Sequence, residues 1–220
     1  MANLRFAEEI LLLALDDQSG RLQPLPERAL DFAIAGAMLL ELAFEKRVDT
    51  DATQLMILDR GPTGDALLDE VMASLPAEEQ QPTIQKALAR VALKAPGLKS
   101  SLFGSLVAKG ILEEKDQRFL WVLKDRRYPK IDNQQEQEVR TRIREVVMNE
   151  DAIPDPRDVV LICLVDACDL AHTCFSPQEI KVFGKRIKAI ARMDFIGQAI
   201  SKSITEIQHA ILEVIAYSGM

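Results

Sequence analysis

The chain has 220 residues, 48% of them hydrophobic, and its 34 acidic side chains outnumber 27 basic ones to give a formal charge of −7. This length and apolar content are sufficient for a buried core. The negative charge argues against nucleic-acid binding through overall charge, which requires a positive surface. No run approaches the roughly 20 apolar residues of a membrane-spanning helix. Any contact with a polyanion or a membrane is therefore expected to use a local basic patch.

The first half of the chain combines helical periodicity with one short strand pattern. Helices are predicted at residues 4–15, 32–45, 66–75 and 83–93. Between the second and third helices, Val48 and the apolar run 55–58 flank a polar segment, which predicts a β-hairpin. A Gly-Pro-Thr-Gly-Asp turn at 61–65 opens the third helix. Residues 21–26 are predicted to be an exposed loop because Pro24 and Pro26 each lack a backbone donor.

The second half repeats this plan. Pro96-Gly97 is predicted to end the fourth helix, and the later helices are expected at residues 98–109, 138–148, 155–170, 176–192 and 199–217. A second hairpin is predicted from a strand at 111–112, a charged loop at 113–118 and a strand at 119–123. The fold predicted is mainly α: a single domain over residues 1–220, with a central helical bundle and two small β-hairpin wings. The bundle is built on residues 32–45, residues 159–170 and the C-terminal helix.

The helix predicted at 176–192 is amphipathic and basic. Its apolar positions share one face, whereas the other face carries Lys181, Lys185, Lys188 and Arg192. Residues 181–202 contain six basic side chains against a single acidic one, Asp194. Such a block can hold a helix against anionic lipid headgroups, each lysine or arginine contributing about 1 kcal/mol. The alternative is the solvated outer face of a packed helix, which charge runs commonly form.

Several runs, in order along nearly the whole chain, resemble the Golgi phosphoprotein 3 family. They are residues 8–13 (EEILLL), 36–43 (GAMLLELA), 62–70 (PTGDALLDE), 106–112 (LVAKGIL), 167–170 (ACDL) and 185–188 (KRIK). The resemblance implies a non-catalytic peripheral membrane protein that reads phosphatidylinositol 4-phosphate and adapts the cytosolic tails of other membrane proteins to the membrane. It also implies a bacterial or divergent member, and self-association through a hairpin near residues 118–130.

The family's phosphoinositide site uses an exposed tryptophan and three arginines, which grip phosphate oxygens through paired donors. These positions correspond here to Pro26, Ala35, Pro96 and Lys99, so only Lys99 keeps a charge. We interpret Leu25 as the apolar membrane contact in place of the tryptophan. The remaining candidates for headgroup binding are the basic residues Arg28, Arg90, Lys94, Lys185, Arg186 and Lys188.

The cysteines and histidines of the sequence bear on two further kinds of site, a metal site and a catalytic site. Cys163, Cys168, His172 and Cys174 have types and spacings that zinc can use. Against this, Cys163 lies in the most apolar helix, where free cysteine behaves as a small hydrophobe, and the resembling family has no metal there. No nucleophile and base pair emerges, and the 61–65 turn lacks the lysine of a phosphate-binding loop. We therefore predict no enzyme activity, no metal and no cofactor.

The function expected is that of a cytoplasmic protein, peripherally associated with membranes, that binds anionic phospholipid or phosphoinositide headgroups and adapts membrane-protein tails. One alternative is a winged-helix nucleic-acid binder, motivated by the two wings and by Arg140, Arg142 and Arg144. Its weakness is that the helix at 98–109 offers only Lys99 and Lys109 to reach phosphates. Nucleic acid is therefore not predicted as a partner. A second alternative is an interaction scaffold with no lipid contact.

Overall fold

The structure is a computed structural model that describes residues 4–16, 19–25, 28–51, 53–77, 81–119, 123–151 and 153–218, with side chains described outside 115–126 and 209–218. The described part is mainly helical, as predicted. Its helices are α1 (Phe6–Ala14), α2 (Ala29–Phe44), α3 (Ala66–Ser74), α4 (Ile84–Ala92), α5 (Ala95–Ala108), α6 (Gln134–Met148), α7 (Pro156–Ala167), α8 (Ala171–Cys174), α9 (Pro177–Ile190) and α10 (Phe195–Ser218).

Helix α2 is the centre of the bundle. It is apolar on almost every side and packs against α1, α4, α5, α7 and α10. Gly36 permits the close approach of α7 and α10, because a Cβ at this position would lie 3.0 Å from side-chain carbons of Leu164 in α7 and Ile204 in α10. The predicted central bundle of α2, α7 and the C-terminal helix is confirmed.

Two antiparallel hairpins stand beside the helices. In the first, β1 (Val48–Thr50) pairs with β2 (Leu55–Ile57), Val48 opposite Ile57, as the sequence pattern predicts. In the second, β3 (Lys115–Phe119) pairs with β4 (Leu123–Arg127). The predicted layout of this second hairpin was wrong, because β3 lies largely where a loop at 113–118 was expected. Residues 115–118 are all polar, so hydrophobic alternation gives no strand signal there.

Two helix boundaries also differ from the predictions. Pro96 does not end α4 but lies in the first turn of α5, where its missing N–H would have no helical partner in any case. Helix α6 begins at Gln134, before the predicted start at 138. Its first turn is rich in glutamine and glutamate, which favour helix without giving an apolar stripe.

One hydrophobic core connects the helices, from Leu4 through α1, α2, α4, α5 and α7 to Ile204. The residues of α7 from Val159 to Val165 are all buried, as predicted for a central helix. Asp155 caps this helix by accepting a hydrogen bond from the Arg157 N–H at 2.8 Å. None of the helices within the described residues combines the length and the apolarity required to cross a bilayer.

Candidate functional site

A capping box stabilises the start of helix α9, and its apolar face packs against the core. The Ser176 N–H donates to Glu179 Oε2 at 2.8 Å, and the Glu179 N–H donates back to Ser176 Oγ at 3.3 Å. Ile187 and Ile190 are buried against the core. These contacts fix which side of α9 faces the protein, and so which side faces the solvent.

A row of exposed basic residues, which we call the basic stripe, runs along the solvent side of α9 and into the turn after it: Lys181, Lys185, Lys188 and Arg192. None of these four side chains makes a hydrogen bond or an ion pair with the other residues that the structure describes. The steps of four and three residues place Lys181, Lys185 and Lys188 within a narrow arc of the helix. The stripe is therefore open to an external anion.

Unlike the side chains of the basic stripe, the side chain of Arg186 forms hydrogen bonds within the protein. Its Nε donates to the Val147 carbonyl at 2.9 Å and one terminal nitrogen donates to the Asn149 carbonyl at 3.0 Å. These carbonyls belong to the last turn of α6 and the residue after it, where helical partners are missing. In the described structure Arg186 thus joins α9 to α6.

Large apolar side chains are exposed beside the basic stripe. Val182 on α9 is 70% exposed, and at the α9–α10 turn Met193 is 63% and Phe195 is 56% exposed. An apolar side chain next to basic ones, on a helix that lies on the protein surface, is the arrangement of interfacial helices.

A groove of about 550 Å³ adjoins the C-terminal end of the stripe. It lies between α9 and α10 over the end of α7, and Lys188, Arg192 and Lys202 bring three cations to its wall. Asp166 of α7 is the carboxylate of the groove. Burial raises the pKa of Asp166, and the charges of Lys188 and Arg192 act in the opposite direction.

The three arginines of α6 are engaged with carboxylates. Arg142 forms ion pairs with Glu9 and, at 2.9 Å, with Asp158. Arg144 contacts both carboxylate oxygens of Glu179, the closer at 2.6 Å, and this pairing holds the pKa of Glu179 down to about 2. Arg140 pairs with Glu136. These arginines are thus used inside the molecule and do not form a free surface for a nucleic-acid backbone.

The four candidate metal ligands make separate contacts within the protein. Cys163, Cys168 and Cys174 are buried thiols, and burial raises the pKa values of Cys163 and Cys168 to about 12. The Cys163 thiol donates to the Ala191 carbonyl at 3.0 Å, and His172 Nδ1 lies 2.8 Å from the Asp169 carbonyl. Within the described residues, no group of three histidine, cysteine or acidic side chains could hold a metal ion.

A model of the Golgi phosphoprotein 3 family matches residues 6–207 of the 220. The chain belongs to the Golgi phosphoprotein 3 family. Membership confirms the resemblance seen in the sequence, and it supports a lipid-binding adaptor role at the level of the family.

In this member of the Golgi phosphoprotein 3 family, two of the candidate site residues meet at one carboxylate. Lys99 Nζ lies 2.9 Å from Asp31, and Arg28 Nε lies 3.7 Å from the same side chain. Arg28 also stacks on Phe32, 5.2 Å from the ring centroid. Ala35 is fully buried in α2. The two cations are therefore close together, but Asp31 partly neutralises them.

The remaining candidates for lipid contact lie in the loop before α2 and at the end of α4. Leu25 is partly buried and packs against the core, and Pro26 lies outside the described residues. Arg90 and Lys94 are both exposed at the C-terminal end of α4 and flank Leu93, which is 69% exposed. This second basic and apolar surface is smaller than that of α9.

Sequence reasoning missed the apolar members of the α9 site and the groove. Met193 and Phe195 lie in a turn between two helices, where no periodicity says which side chains face out. Asp166 was read as part of a buried helix. The groove depends on how α9 and α10 pack on α7, which spacing along one helix does not reveal.

Proposed function

We propose that this protein is a non-catalytic adaptor that docks on anionic membrane surfaces through the basic stripe of α9. The observation that carries the proposal is that these four cations lack intramolecular partners among the described residues, although the chain as a whole is acidic. The arginines of α6, by contrast, are paired with carboxylates. A stripe that the fold leaves unpaired is available to an external anion.

The energetics of docking favour this face. A lysine or arginine close to an anionic leaflet contributes about 1 kcal/mol, so four of them supply roughly 4 kcal/mol at low salt. The exposed side chains of Val182, Met193 and Phe195 add burial of apolar surface in the interfacial region. Because the remainder of the chain is acidic, an anionic membrane repels the other faces and orients the molecule with α9 toward it.

The headgroup proposed is an anionic phospholipid, with phosphatidylinositol 4-phosphate as the ligand that the family suggests. The positions that match the family's guanidinium groups hold Ala35 and Pro96, which cannot bind phosphate through side-chain donors. Arg28 and Lys99, with Arg90 and Lys94, form a second candidate contact region. The α9 stripe is proposed as the principal one because its cations are not neutralised by a carboxylate, whereas Arg28 and Lys99 both pair with Asp31.

The adaptor part of the proposal concerns what the docked protein carries. The family suggests the cytosolic tails of membrane proteins as clients, which implies a cytoplasmic protein peripherally associated with membranes. The family also suggests self-association, for which we propose the β3–β4 hairpin. Light scattering on a chain with this hairpin shortened to a tight turn tests that role: a fall in mass supports it, and an unchanged mass overturns it.

Vesicle flotation tests the docking face. The protein is expected to float with vesicles containing phosphatidylserine and not with neutral phosphatidylcholine vesicles, and binding should weaken steeply with salt. Lys181→Glu with Lys185→Glu should abolish flotation. The comparison variant is Arg90→Glu with Lys94→Glu, which makes the same change of charge at the same spacing on another exposed helix.

Each result of this test has a defined meaning. A large loss for the α9 pair and a smaller one for the α4 pair supports the proposal. The reverse ranking moves the docking face to α4 and overturns it. Absence of flotation for the unmodified protein removes lipid docking altogether, and retention of duplex DNA at physiological salt in that case would favour the nucleic-acid alternative.

A further inference from the structure

The groove between α9 and α10 contains more positive charge than the docking function requires. Lys188 and Arg192 come from the C-terminal end of the stripe, whereas Lys202 comes from a different helix. A flat anionic surface would be met by the stripe alone. Three cations from two helices around one concavity instead suit a compact ligand of high charge density.

The charge balance of the groove indicates the ligand class. Three cations face one carboxylate, Asp166, so the lining carries a net charge of about +2 when all four groups are ionised. Neither Lys188 nor Arg192 forms an ion pair with Asp166 among the described residues, although both act electrostatically on its pKa. Lys202 makes only a long contact of 3.9 Å with Glu206. The three cations thus line one groove, and neither Lys188 nor Arg192 is neutralised by direct pairing.

A phosphomonoester complements this lining. It carries a charge of about −1.5 to −2 at neutral pH and offers three acceptor oxygens, one for each cation. The groove volume of about 550 Å³ lies within the roughly 300–1,000 Å³ of small-ligand pockets, so it has room for a headgroup larger than phosphate itself. The exposed amide of Gln198 lines the same groove and can donate to a further oxygen of the ligand.

The rim of the groove identifies the source of that phosphate as a lipid. Phe195 lines the groove and is more than half exposed, and Met193 is exposed in the same turn. A soluble phosphate would gain nothing from these apolar side chains. A lipid headgroup seated in the groove would bring its acyl region next to them.

We propose that this groove binds the phosphomonoester of a lipid headgroup, with Lys188, Arg192 and Lys202 contacting the phosphate while Met193 and Phe195 enter the apolar part of the membrane. The proposal rests on the docking function proposed above and adds selectivity to it. Asp166 interacts electrostatically with Lys188 and Arg192 and competes with the incoming anion for them.

The experiment compares two vesicle compositions matched for zeta potential, one containing phosphatidic acid, which carries a phosphomonoester, and the other phosphatidylserine, which does not. The unmodified protein should prefer phosphatidic acid by roughly tenfold, the effect of about 1.4 kcal/mol. Lys202→Gln should reduce that preference about fivefold while leaving phosphatidylserine binding nearly unchanged, because the charge of one groove cation is removed and the stripe is intact. Lys181→Gln should weaken binding to both vesicles equally and keep the preference.

A second pair of variants tests the carboxylate. Asp166→Asn removes the competing charge with almost no change in shape, and it should tighten binding to phosphatidic acid roughly threefold through the higher local charge. Asp151→Asn is the matched control, since it makes the same change in net charge on an exposed residue that does not line the groove. It should have little effect.

The outcomes separate this proposal from the docking function. Equal binding to both vesicle types, with no specific effect of Lys202→Gln, overturns the groove and leaves docking intact. Failure to bind either type overturns docking and the groove together. Tight binding of soluble inorganic phosphate, unaffected by the presence of a membrane, overturns the lipid assignment while confirming a phosphate site.

Discussion

Helices α6 and α9 both carry clusters of basic residues, yet the fold uses them in opposite ways. On α6, Arg140, Arg142 and Arg144 all pair with carboxylates, three of which, Glu9, Glu136 and Asp158, are buried. On α9, the basic stripe has no such partners within the described residues. The number of basic residues in a segment therefore does not tell whether they stabilise the protein or bind a partner.

The spacing of the basic residues explains the difference. A helix turns by about 100° per residue, so the step of two residues between the α6 arginines turns each by about 200° from the last and directs them to different neighbours. Arg142 reaches α1 and α7, whereas Arg144 reaches α9. The steps of four and three residues on α9 keep Lys181, Lys185 and Lys188 on one side, and that side faces the solvent. Spacing thus separates an internal network from an external surface.

The largest effect is expected from Arg142→Ala. This change leaves Asp158 and Glu9 without their common cation in a buried setting, which typically costs 3–5 kcal/mol. We expect about 3 kcal/mol, at the lower end, because Glu9 can take up a proton. Urea denaturation measures this free energy of unfolding. Lys185→Ala is the control and should change it by less than about 0.5 kcal/mol; equal losses for the two variants would remove the contrast between α6 and α9.

A somewhat smaller effect on stability is expected from the ionisation of Glu9 as the pH rises. Burial raises its pKa to about 7 in spite of the Arg142 ion pair, and its Oε2 has no hydrogen-bond partner within the described residues. Because the folded pKa exceeds the unfolded value of 4.5, the stabilising contribution is complete below about pH 4.5 and is lost as pH rises through about 7. At about 1.4 kcal/mol per pKa unit, the whole shift corresponds to roughly 3.5 kcal/mol, of which roughly 2–3 kcal/mol is lost between about pH 5 and about pH 8.

Glu9→Gln isolates this contribution. The glutamine retains an oxygen to accept the hydrogen bond of Arg142 and cannot titrate, so the decline in stability between about pH 5 and about pH 8 should become shallower. Denaturation curves of both proteins at the two pH values provide the measurement. Some slope will persist because burial also raises the pKa of Asp158. An unchanged slope in the variant would show that Glu9 is not the titrating group.

Arg144→Ala is expected to have a lesser effect, at the junction of the two helices. The Arg144 hydrogen bonds are the main reason why the pKa of Glu179 falls to about 2. A lowered pKa contributes stability above about pH 4.5 that disappears as pH falls through about 2. The variant should lower Tm by roughly 2–4 °C at neutral pH, and this difference should vanish in strong acid. A difference that persists at pH 2 would point to packing against Phe175, over which Arg144 lies.

The sequence was sufficient for most of the fold because strong signals coincided. The helices predicted at residues 155–170 and 176–192 correspond to α7, whose apolar run is buried, and to α9, whose apolar and basic faces lie as the periodicity indicates. The second hairpin was misplaced because β3 has no apolar alternation. Helix boundaries at Pro96 and Gln134 depended on capping and composition, which fix an end less firmly than burial does.

The candidate site could be predicted only in part. The periodicity of α9 indicates which lysines share a face, but not that Arg186, on the flank of the same helix, reaches the carbonyls at the end of α6. Nor could it indicate that Asp31 would lie next to Lys99, since these residues are distant in sequence. Partners of this kind depend on tertiary packing, and it is the partners that decide whether a cation is available to a ligand.

The double variant Lys181→Gln with Lys185→Gln is expected to have the smallest effect on stability and the clearest effect on function. Because neither side chain has a partner within the described residues, the free energy of unfolding should change by less than about 0.5 kcal/mol. Loss of two cations near an anionic leaflet should nevertheless weaken vesicle binding by about 2 kcal/mol, or roughly thirtyfold. Denaturation and flotation of the same preparation measure both quantities. A variant that loses stability and binding in proportion would mean that the basic stripe supports the fold, as the arginines of α6 do, and that its exposure is not evidence for docking.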